Sequence, residues 1–393
     1  MLTPEQLLTP AWHPAAWWAE WRSPPRMRRR LLIAGLVAVL AAGSYIGRVV
    51  WPAAEPAQGP RVIAAGAGPD ALAISPDGQT LYVADYGNPD LSDSSVPGAG
   101  DTVTPVDLRT GRPGRPITAG SLPDWLTLAP AHRTLYVFQD PAYSDGDVVP
   151  VNLGSGVAGP PMRFPDGAEY GRMSPDQRTL YVAEDLNYGQ NLQVVPVDVA
   201  SGRRGAPITL PKYISGLVIS PDGETLYGGT EDGATQQGGE IVSVDLRTHR
   251  VRAPIRLDNH PWTLAFSPDG KWLYVVAGIV PPPSAPLGPQ ALFVISVASQ
   301  KVVKSVALKA LPDSIAVAPD GRMLYIQSDD TTVTPVSTAT WQLGAPIVTT
   351  RPQEARGAAL SFGPLGSTLV ISPDGRTLYA LNGTGVAVIP VTG

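Results

Sequence analysis

A short pattern, in which a polar turn is followed by alternating apolar and polar positions, occurs seven times along the chain. It first reads SPDGQTLYV from Ser75, and its later copies start at Ala129, Ser174, Ser220, Ser267, Ala318 and Ser372. An apolar run before the turn, such as ALAI at 71–74, predicts a buried inner strand. In the turn, Pro presets φ, Asp bonds the nearby backbone and Gly accepts positive φ, so each copy predicts a hairpin that leads into the strand TLYV.

Two further strands complete each repeat. TVTPV at 102–106 and VVPV at 148–151 are examples of a third strand. Its recurring proline has no N–H, so we expect it at a bulge or at a position that donates no ladder hydrogen bond. A Thr-Gly-like turn and an outer strand near a Pro-Ile pair follow. The copies start 45 to 54 residues apart, slightly more than the ~40–45 residues of a four-stranded propeller blade.

The two ends of the array complement each other. RVIAA at 61–65 is an outer strand without a repeat of its own, whereas only three strands follow the last copy, ending in VAVIPV at 386–391. One N-terminal strand and three C-terminal strands make a complete blade and leave no open sheet edge between first and last blades. The sequence therefore predicts an all-β fold, a seven-bladed β-propeller with four-stranded blades that closes in this way over residues 61–393.

The repeats resemble the YVTN-type β-propeller proteins of bacteria, a group that includes surface-layer and YncE-like proteins. The SPDGxTLYV hairpin and segments such as DTVTPVDLRTG at 101–111 carry the resemblance, which extends over roughly 61–391. It departs where Ala131 and His132 replace Asp-Gly, and where Trp341 stands in the usual Thr-Gly turn. The resemblance implies a propeller in an extracytoplasmic setting, whereas functions within this group are heterogeneous and the fold alone does not define one.

A second pattern, near the N-terminus, predicts a membrane anchor. LLIAGLVAVLAAGSYIG starts at Leu31 without a charge, and with Arg48 at the interface the segment to Trp51 has about 21 residues, enough to span a bilayer. Five arginines lie just before it, which favours a cytoplasmic N-terminus. We predict a Trp/Arg-rich cytoplasmic tail (1–30), a single-pass signal anchor (31–51), a linker (52–60) and an extracytoplasmic propeller. A cleaved signal peptide and a buried core helix are the alternatives.

Composition and charge narrow the function classes. The chain contains no cysteine, which excludes disulfide scaffolds, thiol nucleophiles and Cys-ligated metal centres. After Trp51 there are 23 basic and 32 acidic residues, a net charge of −9. Nucleic-acid binding depends on clustered Lys and Arg against phosphate, so we predict no nucleic-acid partner.

Candidate binding residues follow from the repeat. Five residues before each Ser-Pro or Ala-Pro pair, where the inner strands begin at the mouth of the central channel, the seven copies have Asp70, Asp124, Glu169, Ser215, Trp262, Asp313 and Ser367. Long, variable loops between the second and third strands open on the same face and add further acidic residues. Such loops on a rigid scaffold are the usual place for binding. The candidate channel-mouth residues are therefore Asp70, Asp124, Glu169, His260, Trp262 and Asp313.

A metal ion is one interpretation of these carboxylates. Hard cations such as Ca²⁺ take oxygen ligands, and Asp124 and Glu169 are the candidate metal ligands; no other cofactor is expected. The structural interpretation is that the acidic residue caps the backbone of the next strand. His260 and Trp262 likewise have ordinary roles in a loop and in the core. Trp125 and Tyr170 also approach the mouth, where core packing is their expected role.

No sequence motif of the common enzyme classes is present after Trp51, such as GxSxG, HExxH or a P-loop. We therefore predict a non-enzymatic binding or interaction module, with a protein, a cell-wall component or a small cationic ligand as its partner. The alternative is a lactonase-like hydrolase that depends on a divalent metal, by analogy with propeller lactonases whose metal is held by Glu, Asn and Asp. Glu169, Asp124 and Asn187 match that ligand set only loosely. A purely structural spacer is the third hypothesis.

Overall fold

The computed structural model describes residues 60–66, 68–87, 100–141, 144, 146–186, 191–210, 214–231, 238–279, 288–349, 368–383 and 385–391. The predicted tail and anchor (1–51) lie outside the described residues, as do 52–59 of the predicted linker. In the part of the chain that is described, none of the helical segments has the length and hydrophobicity needed to cross a membrane.

The described residues form seven antiparallel sheets, one for each repeat. The inner strands are β2 (Pro69–Ile74), β7 (Pro123–Ala129), β11 (Ala168–Met173), β15 (Ser215–Ile219), β20 (His260–Phe266), β24 (Pro312–Val317) and β28 (Leu369–Ile371). The second strands are β3 (Thr80–Asp85), β8 (Thr134–Gln139), β12 (Thr179–Leu186), β16 (Thr225–Glu231), β21 (Trp272–Gly278), β25 (Met323–Ser328) and β29 (Thr377–Leu381).

The third and fourth strands complete each sheet. The third strands are β4 (Thr102–Asp107), β9 (Val148–Asn152), β13 (Asn191–Asp198), β17 (Gly239–Asp245), β22 (Gln290–Ser296), β26 (Thr332–Ser337) and β30 (Val386–Pro390). The fourth strands are β1 (Arg61–Ile63), β10 (Val157–Ala158), β14 (Ile208–Leu210), β23 (Lys301–Leu308), β27 (Ile347–Val348) and two strands that are each in two pieces, β5 (Arg112–Pro113) with β6 (Ile117–Thr118), and β18 (Arg250–Val251) with β19 (Ile255–Leu257). The prediction of an all-β propeller with seven four-stranded blades is confirmed.

The repeated turn forms as its residues predict, with an added role for its serine. Ser75 Oγ donates to Asp77 Oδ1 (2.5 Å), and Asp77 Oδ1 also accepts from the Gln79 N–H (3.0 Å). Ser75 Oγ in turn accepts from the backbone N–H of Thr80 (2.9 Å), and Gly78 has φ +67°. The side chains thus close the hairpin from within. The same Ser–Asp bond recurs in the copies that start at Ser174, Ser220, Ser267 and Ser372.

The copy that departs from the pattern keeps the turn by another route. In place of Asp-Gly, residues Pro130–His132 form a 3-10 turn, and Arg133 takes the left-handed conformation with φ +49°. The backbone N–H of Arg133 donates to the carbonyl of Pro130 (3.0 Å). The hairpin therefore tolerates the substitution, as expected from the sequence.

The prolines of the third strands lie where the fourth strand breaks. Pro105 accepts a hydrogen bond from the backbone N–H of Gly114 (2.7 Å), in the gap between the two pieces β5 and β6. Pro150 has the same arrangement with Gly159 (2.7 Å). Because the missing proline N–H would point toward this gap, no ladder hydrogen bond is lost. The prediction of a non-donating position is confirmed.

Apolar side chains fill the spaces between neighbouring sheets. One cluster joins Phe138 of the second blade to Tyr170 of the third and Leu217 of the fourth. Another joins Leu72 of the first blade to Tyr379 of the seventh. Each inner strand contacts the next, β2 contacts β28, and β1 pairs with β30 so that Arg61 lies opposite Val388. These contacts fix the starts of the inner strands, where the candidate site lies.

Candidate binding site at the channel mouth

Six of the seven inner strands begin with a β-bulge, in which one residue is left out of the ladder with the second strand. In the first blade Pro69 pairs with Asp85 and Ala71 pairs with Ala84, so Asp70 is the extra residue. The extra residues of the six blades are Asp70, Asp124, Glu169, Gly216, Trp262 and Asp313. Bulges redirect a side chain and are frequent beside functional sites. The bulges thus include all five non-histidine candidates of the sequence analysis.

The fourth blade differs from the spacing expected from sequence. Ser215, predicted at the mouth, stays in the ladder opposite Gly229, and its Oγ–H donates to the carbonyl of Pro261 (2.5 Å). The bulge falls instead on Gly216, with φ +82°. Glycine adopts this conformation without the steric cost of a Cβ, so the irregularity moves to it. Ser367, the expected residue of the seventh blade, lies outside the described residues.

Acidic residues gather around Asp124. Burial is the largest cause that raises the pKa of its carboxyl well above the usual value, and the negative charges of Asp140, Asp70 and Glu169 raise it further. The Oδ1 atom of Asp124 is buried and accepts no hydrogen bond from the described residues. A buried acceptor without a partner costs about 1–3 kcal/mol, so this atom suits a ligand that brings a donor. Carboxyl groups from the first three blades therefore all act on Asp124 through their charge.

Asp140 is held in place from the neighbouring blade. Its Oδ2 accepts a short hydrogen bond from the hydroxyl of Tyr86, and its backbone N–H donates to the carbonyl of Leu122 (3.0 Å). Tyr86 and Asp140 are both buried. This bond ties the first blade to the second directly beside Asp124. No local sequence pattern marks this pair, because Tyr86 and Asp140 lie 54 residues apart in the chain.

Two other acidic residues at the strand ends have structural partners. Asp85 Oδ2 accepts from the hydroxyls of Thr102 and Thr104, both at 2.6 Å. Glu184 accepts from the Gln193 amide (2.6 Å). Burial nevertheless raises the pKa of both carboxyls. Part of the negative charge expected on this face therefore belongs to the hydrogen bonding of the sheets.

Asp313 forms a separate acidic position on the sixth blade. Burial, followed by the charge of Asp329, raises the pKa of its carboxyl to about 6, although a hydrogen bond from Thr368 opposes the shift. The Thr368 hydroxyl donates to Asp313 Oδ2 at 2.8 Å. Because Thr368 precedes the inner strand of the seventh blade, this bond connects the last two blades at the mouth.

An aromatic pair lies at the start of the fifth blade. The rings of His260 and Trp262 meet edge to face, with centroids 4.6 Å apart and planes at 86°. Burial lowers the pKa of His260 to about 4, so its imidazole is neutral at neutral pH. The indole N–H of Trp262 is buried and donates no hydrogen bond within the described residues. The fifth blade thus adds a hydrogen-bond donor and an aromatic ring, and no positive charge.

Trp125 and Tyr170 have the packing role expected for them. Trp125 donates its indole N–H to the Gly171 carbonyl (3.0 Å), and Tyr170 donates to the Ile214 carbonyl (2.6 Å). Arg172 stacks over the Trp125 ring at 4.3 Å and donates to the Leu217 carbonyl (2.8 Å). Burial lowers the pKa of Arg172 to about 10. These groups connect neighbouring blades, and the candidate binding residues are therefore the bulge residues rather than Trp125 and Tyr170.

Among the described residues, no group of three or more His, Asp or Glu side chains is arranged to hold a metal ion. The candidate ligands Asp124 and Glu169 therefore remain a two-carboxylate prediction. Most of the long second-to-third strand loops, including Asn187, lie outside the described residues.

Comparison with solved structures gives the same class of protein. Hydrazine synthase from Kuenenia stuttgartiensis superposes with a TM-score of 0.66 at 22% identity, over 86% of this chain and 99% of that one. The β-propeller domain of Cps50 (Swd1) from Myceliophteria thermophila gives a TM-score of 0.61 at 15% identity, over 83% and 98%. Neither the protein-family models nor the curated proteins compared with the chain give a match. The chain is a seven-bladed β-propeller.

Proposed function

We propose that this protein is a membrane-tethered, extracytoplasmic β-propeller that acts as a non-enzymatic binding module, with its ligand site at the channel mouth. The observation that carries the proposal is Asp124. Among the described residues, its buried Oδ1 lacks a hydrogen-bond partner and the charges that shift its pKa all come from carboxyl groups. Bulges at the same position of successive blades support it, because they turn side chains out of the ladder.

The proposed cellular location of the module is argued from the sequence. The apolar segment Leu31–Trp51 after an arginine cluster supports a single-pass anchor with the propeller outside the cytoplasm. The resemblance to YVTN-type repeat proteins supports the same setting. The pairing of β1 with β30 supports closure of the ring by one N-terminal and three C-terminal strands, which would give the mouth a rigid rim.

Photo-crosslinking on the two faces of the propeller tests the binding site. A benzophenone amino acid replaces Ser121, an exposed residue just before the inner strand of Asp124, or Ser155, an exposed residue in a turn at the opposite end of the same blade. In membranes that hold the full chain, we expect a defined adduct from position 121 and none from 155. The adduct at 121 should decrease at least tenfold when Asp124→Asn is added.

Equal adducts from both positions, or none at 121, would contradict a site at the mouth. The same membranes, supplied with Ca²⁺ or Zn²⁺ and a panel of lactones, test the hydrolase alternative. We expect no hydrolysis above that of membranes without the protein. Lactone hydrolysis that disappears with Asp124→Asn would favour the hydrolase alternative over the binding module.

A further inference from the structure

The acceptors at the mouth come from different blades. Asp70, Asp124 and Glu169 occupy the same bulge position on three consecutive inner strands, and each of these strands contacts its neighbour. Carboxyl groups that are spread in this way along an arc suit a ligand with several N–H donors. Charged N–H donors bind carboxylates at about 2.7–2.9 Å, in bonds roughly twice as strong as neutral ones.

A second observation comes from the other side of the mouth. Trp262 takes the same bulge position in the fifth blade, and its buried indole N–H donates no hydrogen bond within the described residues. Because the inner strands contact one another in order and β2 contacts β28, the fifth of the seven lies across from the first and second. An aromatic ring carries negative charge density on its face and attracts cations within ~6 Å. An aromatic group and carboxyl groups on opposite sides of one opening favour an organic cation.

Within the described residues, no positively charged neighbour acts on Asp124, because every group there that shifts its pKa through a charge is acidic. The buried cation of the third blade, Arg172, bonds to the Leu217 carbonyl and stacks on Trp125 instead. A bound cation would bring to Asp124 a donor and a compensating charge together.

We infer that the channel mouth binds an organic cation, a primary ammonium or a guanidinium group, between the carboxyl groups of the first three blades and the indole of Trp262. This inference rests on the proposed function and specifies its ligand. Two sources carry the same chemistry: a free small amine, and a lysine or arginine side chain of a protein partner.

Calorimetric titration of the purified full-length protein tests the inference. The probes are putrescine, lysine and arginine capped at both backbone ends, and CaCl₂. We expect saturable binding of at least one amine or guanidinium probe, weakened tenfold or more by Asp124→Asn. Trp262→Phe, which keeps a ring and removes the N–H, should weaken it severalfold. Asp258→Asn, which removes an exposed carboxylate just before the fifth inner strand, should change it less than twofold.

The probes separate the two sources. Tighter binding of putrescine indicates a free amine, whereas tighter binding of capped lysine or arginine indicates a partner side chain; both outcomes support the inference. Thermal unfolding of the Asp124→Asn variant checks that this variant is folded. We expect its unfolding temperature to be no lower than that of the parent protein.

Three outcomes would overturn the inference. These are no saturable heat with any organic cation, equal weakening by Asp124→Asn and Asp258→Asn, and saturable binding of Ca²⁺ alone. The crosslinking experiment tests the proposed function separately, because it detects a binding site at the mouth whatever the chemistry of the ligand. An adduct at position 121 that depends on Asp124 would show a binding site of another chemistry if all organic cations fail.

Discussion

The stability of the protein should depend on pH through Asp313, because its carboxyl is enclosed at the mouth. Burial raises the pKa of this group from 3.8 to about 6 in the folded protein. A tenfold change in proton affinity corresponds to about 1.4 kcal/mol, so ionising Asp313 in the folded protein costs up to about 3 kcal/mol. The residue retains some exposure, and we therefore expect an effect of about 2 kcal/mol.

The direction follows from the raised pKa. The folded state binds the Asp313 proton more tightly than the unfolded chain does. The stability that this bound proton contributes is fully present below about pH 4 and is lost as the pH rises through about 6. Asp313→Asn removes the charge and keeps an oxygen that can accept from Thr368. We expect the variant to be more stable than the parent by about 2 kcal/mol at pH 8, and the difference to fall toward zero at pH 4.

Urea unfolding followed by tryptophan fluorescence, at pH values from 4 to 8, measures this difference. Asp258→Asn controls for the change in net charge, because that carboxylate is exposed. The variant should shift the midpoint at high pH without changing the slope, as expected for a change in stability alone. A difference that is the same at every pH, or a variant less stable than the parent at pH 8, would refute this explanation.

Three further predictions concern the turn, the bulge and the anchor. Ser75→Ala removes the hydroxyl that bonds Asp77 and should cost about 1 kcal/mol of stability in urea unfolding, whereas an unchanged midpoint would show that the hydroxyl is dispensable. Gly216→Ala places a Cβ at φ +82° and should cost about 1–2 kcal/mol in the same assay; a neutral effect would argue against strain at this bulge. In this cysteine-free chain, Ser155→Cys should react with a membrane-impermeant maleimide on intact cells and Ser23→Cys should not, and the reverse pattern would contradict the predicted orientation.

The sequence was sufficient for the fold because each repeat contains its own turn chemistry. Ser75, Asp77 and Gly78 act within one hairpin, so their spacing alone predicts the structure. Counting back from the turn gave the channel-mouth residue in five blades that the structure shows to be a bulge, although the sequence did not predict the bulge itself. The count failed at Ser215, because the neighbouring glycine accepts positive φ and takes the irregularity instead.

The chemistry of the mouth was harder to predict, since it depends on contacts between blades. Tyr86 and Asp140 meet across 54 residues of sequence, and no local pattern marks them. Asp85 is identical in type to the candidate acids, yet the hydroxyls of Thr102 and Thr104 assign it to the sheet. Only the three-dimensional arrangement shows these two bonds to Oδ2; the other oxygen of Asp85, like Asp124 Oδ1, is buried without a hydrogen-bond partner among the described residues.

The most direct test of a binding site at the mouth is the yield of the photo-adduct from position 121, measured with and without Asp124→Asn in membranes that hold the full chain. We predict a defined adduct that falls at least tenfold when this one carboxylate becomes an amide. An adduct of equal yield in the two proteins would show that Asp124 takes no part in binding, and would contradict the site proposed for this propeller.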